Sequence, residues 1–247
     1  MSVALVTGAT KNIGFAIASA LAGSGMTVAL NGRDPNAVTE AVERLAATGA
    51  DVVPAVGDIS TEQGVRALVD GVNAQFGPVL VLVNNAGIRA HGPLVGTELA
   101  DWQAVMDTVL TGAFLTTRAV LGGMCDAGWG RIVNIAGVSG QSGAAGRPAV
   151  VAAKAGLIGL TKATAHEAAP YGVTVNAVSP GLIETQRSPT RGDAALAAGH
   201  YQEMAAKVPL ARQGSVTEVG ALCAFLCSAE AGFITGQVYG INGGAYM

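Results

Sequence analysis

Seven short runs of the chain are rich in apolar residues, and most are apolar on successive residues instead of alternating: VALVT (3–7), TVALN (27–31), DVVPAV (51–56), VLVLVN (79–84), RIVNIA (131–136), VTVNAV (173–178) and QVYGIN (237–242). Strands of that pattern are buried on both faces, as in the interior of a parallel sheet. Parallel neighbours need long crossovers. Helical stretches such as PNAVTEAVERLAAT (35–48) and TEQGVRALVDGVNAQF (61–76) supply them. The repeated strand–helix–strand order predicts an α/β fold of the open, doubly wound, Rossmann type. No linker or compositional break divides the 247 residues. A single domain over 1–247 is therefore expected, with a helical insertion at about 188–212 near the ligand-binding edge of the sheet.

Composition removes several functions. Half the residues are hydrophobic, yet no uninterrupted apolar run approaches the ~20 residues of a membrane span. A net charge of −3 gives no basic footprint for nucleic acid. Residues 1–7, MSVALVT, lack the features of a signal peptide, so a cytoplasmic protein with no membrane partner is expected. Cys125, Cys223 and Cys227 are too few for a disulfide framework and lack the spacing of a metal site; they read as buried structural thiols.

The first strand runs into TGATKNIGFAIASALAGSG (7–25), where Gly8 and Gly14 bracket a turn into a helix. Free amides at a helix start hold phosphate, and the helix dipole favours its charge. The spacing departs from G-x-G-x-x-G at Thr10 and from the P-loop pattern at Ile13. An ordinary glycine-rich turn thus remains an alternative. The second strand ends in NGRD (31–34), with no acid for a ribose hydroxyl but with Arg33, and Lys11 adds a second cation in the first turn. That pair suits the extra phosphate of NADP(H). An exposed surface arginine beside Asp34 is the alternative.

Seven segments together resemble the short-chain dehydrogenase/reductases, in particular the compact type that includes 3-oxoacyl-carrier-protein reductases: TGATKNIG (7–14), GDIS (57–60), NNAG (84–87), RIVNIAGVSG (131–140), AAKAGLIGLTKATAHE (152–167), VTVNAVSPGLIET (173–185) and ITGQVYGINGG (234–244). The resemblance covers essentially the whole chain. It implies a seven-stranded parallel sheet, a nicotinamide cofactor and a homotetramer. It also implies that Gly8, Ile13 and Gly14 line a pyrophosphate, in one turn with Thr10, Lys11 and Asn12. Arg33 would meet the extra phosphate, and Asp58 and Ile59 the adenine. Asn85, Ala86 and Gly87 would follow the ribose, with Pro180, Gly181, Ile183 and Thr185 at the nicotinamide end. Asn12 stands where most members carry glycine, and Asn tolerates the left-handed conformation better than most residues.

Catalysis in the family uses an Asn, a Ser, a Tyr and a Lys, with Lys four residues after Tyr on one helix face. The Lys position is Lys154, but Val150 stands at the Tyr position, Gly137 at the Ser position and Val109 at the Asn position. The longer Tyr–Lys spacing of enoyl reductases meets Arg147 instead. Lys154 would then bind cofactor ribose without a tyrosine; the alternative is a lysine whose stem packs in the helix. Candidate substitute proton carriers are Ser139, with Ser142 close by, His91 on the loop after the fourth strand, and Tyr201 beside His200 in the insertion. A solvated loop histidine at 91 and a turn serine at 139 are the alternatives. Arg89, Arg147 and Arg187 would favour an anionic small-molecule substrate if they gather at the pocket mouth, and otherwise read as surface residues. The leading expectation is an NADP(H)-dependent oxidoreductase acting without the Tyr acid. A non-redox enzyme (isomerase, dehydratase or cyclase) on the same fold, or an inactive partner subunit, are the alternatives.

Overall fold

The structure is a computed structural model that describes residues 2–186 and 198–247. Seven strands form one parallel sheet: β1 (Val3–Val6), β2 (Thr27–Gly32), β3 (Val52–Val56), β4 (Val79–Asn84), β5 (Gly130–Ile135), β6 (Val173–Pro180) and β7 (Val238–Ile241). Their order is β3-β2-β1-β4-β5-β6-β7. The chain winds outward in one direction from β1 to β3, then returns to β4 beside β1 and winds the other way. A crevice for a ligand opens where that direction reverses, at the carboxyl ends of β1 and β4. All seven expected strands are present. Pro54 is tolerated because β3 is an edge strand, which needs no donor on its outer side.

Helices cover both faces of the sheet. On one lie α1 (Asn12–Gly23), α2 (Pro35–Ala46) and α9 (Val216–Leu226), and on the other α3 (Glu62–Phe76), α5 (Gly112–Asp126) and α7 (Pro148–Ala168). Contact between α1 and α9 requires Gly220, where an added Cβ would lie 2.7 Å from Ala16 O. Cys223 and Cys227 are buried in the first of these cores, and burial pushes the Cys227 thiol up to about 12. Cys125 is only half-buried, a departure from the expectation for all three.

The run α4 (Leu99–Met106), a π-helical turn (Asp107–Thr111) and α5 is continuous. By length and composition alone Leu99–Asp126 could cross a bilayer, the one such helix among the described residues. Its buried side chains, from Val105 and Val109 to Val120 and Met124, are packed within the protein. Of the insertion expected at 188–212, α8 (Ala198–Ala206) is described, while residues 187–197 lie outside the described part.

Candidate active site

The site is built on the turn between β1 and α1. Gly8 takes a φ of +62°, and a Cβ there would lie 2.9 Å from Ala86 Cα. At Gly14 a Cβ would lie 2.3 Å from Gly8 O and 2.5 Å from Asn85 Nδ2, so no larger residue fits. Asn85 ties the turn to β4: its Nδ2 donates to Thr7 O (2.9 Å) and Gly8 O (3.0 Å), while its N–H and that of Ala86 donate to Thr7 Oγ1. The start of α1 carries neither a side-chain cap nor an acidic residue, so its amides remain suited to an anion. Asn12 adopts a φ of +52° and is held there by Gln186, whose N–H donates to Asn12 Oδ1 (2.8 Å) and whose carbonyl accepts from Nδ2 (2.9 Å). The left-handed turn expected at Asn12 is thus present, and its side chain also joins the two lips of the crevice.

A cleft of about 710 Å³ follows this turn. It is lined by Gly8, Thr10, Lys11, Asn12, Ile13, Gly14, Arg33, Asp58, Ile59, Asn85, Ala86, Gly87 and Thr185, all singled out from the sequence. Asn31, Ile88, Thr108 and Gln186 also line it and were not foreseen. Thr108 carries a hydroxyl one residue before Val109, a signal legible only once the π turn is known. At the β2 end of the cleft a Cβ on Gly32 would lie 2.8 Å from both Thr10 Cγ2 and Val38 Cγ2, which bars a carboxylate from that position. Asp58 Oδ1 accepts from Ser60 N (2.9 Å) and Ser60 Oγ (2.7 Å); these bonds, and more weakly the Arg33 charge, hold its carboxyl below the usual range.

Lys154 projects from α7 and donates from Nζ to Ile135 O at the end of β5. Burial pushes its pKa down to about 8. A Cβ placed on Gly87 would lie 3.9 Å from Nζ and 3.7 Å from Val109 Cγ2, so the ammonium stands close to the cleft. The close approach of α6 (Ser139–Ser142) to α7 depends on Gly140, where a Cβ would meet Lys154 Cβ at 2.8 Å. Val109 and Val150 belong to one apolar cluster with Ala113, Ala149 and Ala153, on which Ile88 and Ala90 also pack. Gly137 has a φ of +133° and open space at its Cβ position, the nearest heavy atom being Pro180 O at 3.9 Å.

Other expected site residues separate. Ile183 faces a smaller neighbouring cavity with Gly214 and Glu218, and Gly181 packs closely on Asn242. Pro180 ends β6, its carbonyl accepting from Val138 N. Ser139 opens α6, two residues past Gly137. His91 is exposed on the loop after β4, next to Gly92, whose N–H donates to Gly146 O (2.9 Å) and so brings this loop against the one entering α7 at Arg147. Arg187 and the side chain of Tyr201 lie outside the described residues.

A doubly wound sheet whose switch-point crevice has a glycine cradle, an uncapped helix start and two lining cations, Lys11 and Arg33, is a Rossmann-type dinucleotide-binding architecture. Residues 8–246 match the family model described as enoyl-(acyl carrier protein) reductase. The chain is 40% identical to the acetoacetyl-CoA reductase of Cupriavidus necator over 247 residues, covering 99% of this chain and 98% of that one. It is 38% identical to the 3-oxoacyl-(acyl-carrier-protein) reductase FabG of Pseudomonas aeruginosa, with coverage of 99% and 97%. A crystal structure of a protein from Agrobacterium tumefaciens assigned as a gluconate dehydrogenase superposes with a TM-score of 0.93 at 33% identity, covering 99% of this chain and 95% of the other. The chain belongs to the short-chain dehydrogenase/reductase family. It is an oxidoreductase of the reductase/dehydrogenase type.

Proposed function

We propose that this protein is an NADP(H)-dependent oxidoreductase that transfers hydride to or from a small organic substrate without a tyrosine acid. The observation that carries this reading is the pairing of an intact nucleotide cleft with an apolar catalytic wall: Lys154 remains beside Gly87, while Val109 and Val150 have joined a hydrophobic cluster. The cradle fits a dinucleotide, since Gly8 and Gly14 admit no side chain. The β2 end fits its extra phosphate, since Gly32 excludes an acid while Arg33 and Lys11 line the cleft. When bound, the nicotinamide cofactor supplies or accepts the hydride. The Gly8–Gly14 turn would hold its pyrophosphate, Asp58 and Ile59 its adenine, and Lys154 its ribose.

No hydroxyl or amide stands at positions 109, 137 and 150 to polarise a substrate oxygen. Loss of general acid assistance typically costs about 10²–10⁴-fold, so unactivated ketones should turn over slowly. Substrates whose reacting carbon needs no strong acid beside it, such as an iminium or an activated alkene, suit the site. Protons then come from water, from the Lys154 ammonium, or from Ser139, His91 or Tyr201. We read the protein as a cytoplasmic homotetramer, after the family it resembles.

Calorimetric titration with NADPH and NADH tests the cofactor reading. NADPH should bind more tightly, and Arg33→Ala should remove the preference. Lys154→Ala should then abolish NADPH consumption in the presence of an activated alkene. Failure of either nucleotide to bind, or full turnover by Lys154→Ala, would overturn the proposal.

A further inference from the structure

Arg33 follows β2 and Lys11 stands in the turn after β1, both lining the cleft, whereas Arg89 lines it from the other side of β1, on the loop after β4. Its neighbours Ile88 and Ala90 both pack on the apolar cluster that contains Val109 and Val150. Gly92 N–H, three residues on, is bonded to Gly146 O, so the loop is fixed at both ends. Between these anchors the Arg89 side chain reaches across the cleft, its Nη2 donating to Thr185 Oγ1 (3.5 Å) on the segment after β6. Among the described residues no carboxylate pairs with Arg89. A guanidinium has five N–H donors in a planar fork, and this long contact engages one nitrogen. Arg89 is exposed and lines the cleft, so its remaining donors are open to a bound molecule.

We propose that Arg89, braced by Thr185, is a specificity-determining anchor for an oxyanion, a carboxylate or phosphate, carried by the small-molecule substrate. This rests on the oxidoreductase reading above. An apolar wall cannot orient a substrate through its reacting atoms, and a remote anionic handle gripped by a guanidinium supplies orientation instead. A single nucleotide has one extra phosphate for the Lys11–Arg33 end, which leaves Arg89 to a second anion. The same chemistry could come from the pyrophosphate of the cofactor, and the experiment separates the two sources.

Protein loaded with NADP⁺ is titrated with acetate, with inorganic phosphate and with neutral acetamide, while the guanidinium resonance of Arg89 is followed by ¹⁵N NMR and affinity by calorimetry. Acetate or phosphate should shift that resonance and bind about tenfold or more tightly than to Arg89→Gln, the loss expected for a charge-assisted hydrogen bond. Acetamide should leave it unmoved, and NADP⁺ affinity should be the same in both proteins. Undetectable binding of both anions would overturn the proposal. So would a loss of NADP⁺ affinity in Arg89→Gln, because the oxyanion would then be the cofactor's own. If the wild-type protein binds no NADP⁺, the cofactor reading fails separately, and the anion titration on nucleotide-free protein still decides the role of Arg89.

Discussion

Position 137 is not a serine that could simply be restored. Its φ of +133° is a conformation that side chains rarely adopt, although no atom obstructs the space around it. Val150 differs, since it sits in regular helix one turn before Lys154. Val150→Tyr should therefore fold and raise NADPH-dependent reduction of a simple ketone about tenfold or more. Adding Gly137→Ser should lower the melting temperature; unchanged ketone turnover in Val150→Tyr would contradict this account. Lys154 gives a second prediction at this scale. Burial lowers its folded pKa to about 8 from an ordinary 10.5, so the unfolded chain binds more protons between those values. Stability from this residue accordingly rises as pH climbs from 8 to 10.5, and its charged form costs the fold below 8. Lys154→Met should stabilise the nucleotide-free protein at pH 7 by up to about 3 kcal/mol, a gain that fades by pH 10.5 in denaturant titrations. The spacing of Gly8 and Gly14 alone left an ordinary turn open and the resemblance singled out the cradle, whose steric demand at both positions the structure explains. The Asn12–Gln186 pair was not legible, because it joins residues 174 apart in the chain.

Elements were legible where burial dictates composition. β1, β4 and β6 are enclosed on both faces and are written mostly in apolar residues, so their positions followed from the sequence. The π turn at Asp107–Thr111 left no such mark, since a shift from i→i+4 to i→i+5 bonding changes no residue type. Polar residues inside those strands were likewise silent until placed. Asn84 on β4 donates to Asn134 on β5 (2.9 Å) and accepts from Thr116 on α5 (2.7 Å), and Asn134 donates to Thr161 on α7 (2.9 Å). This buried chain joins two central strands to the two helices that bear positions 116 and 161, and α7 also carries Lys154. Removing Asn134 takes one acceptor from the Asn84 amide and one donor from Thr161, which keep their other bonds to Thr117 Oγ1 and Leu157 O. Each lost buried bond costs about 1–3 kcal/mol. Asn134→Ala should therefore cost about 2–4 kcal/mol in urea denaturation. It should also weaken NADPH binding through the displaced α7. A variant as stable as the parent would show that water replaces the lost bonds.

At the scale of the molecule, exposed large apolar side chains among the described residues are spread over several regions, from Val95 and Leu210 to Met247. Two of these regions carry exposed phenylalanines on or beside regular elements. One is the free edge of β7 with its approach from α9, where Phe225 is 46% exposed and Phe233 fully so. The other is the continuous α4–α5 helix, where Leu99 is 67% and Phe114 43% exposed. A tetramer of dyad symmetry needs at least two distinct self-complementary surfaces, and an open strand edge is a liability unless it is covered. The proposed homotetramer would use both of these regions as its dyad surfaces, and substitutions at their phenylalanines test it. Sedimentation equilibrium should give four times the 24.5 kDa chain mass. The double change Phe225→Asp with Phe233→Asp should halve that mass, because burying a carboxylate across a dyad sets two like charges together without partners. Phe114→Asp should also halve it, leaving the β7 pairing in place, and the three changes combined should yield monomers. A parent protein that sediments as a monomer at all concentrations would refute the assembly, and a combined variant still dimeric would place one interface elsewhere.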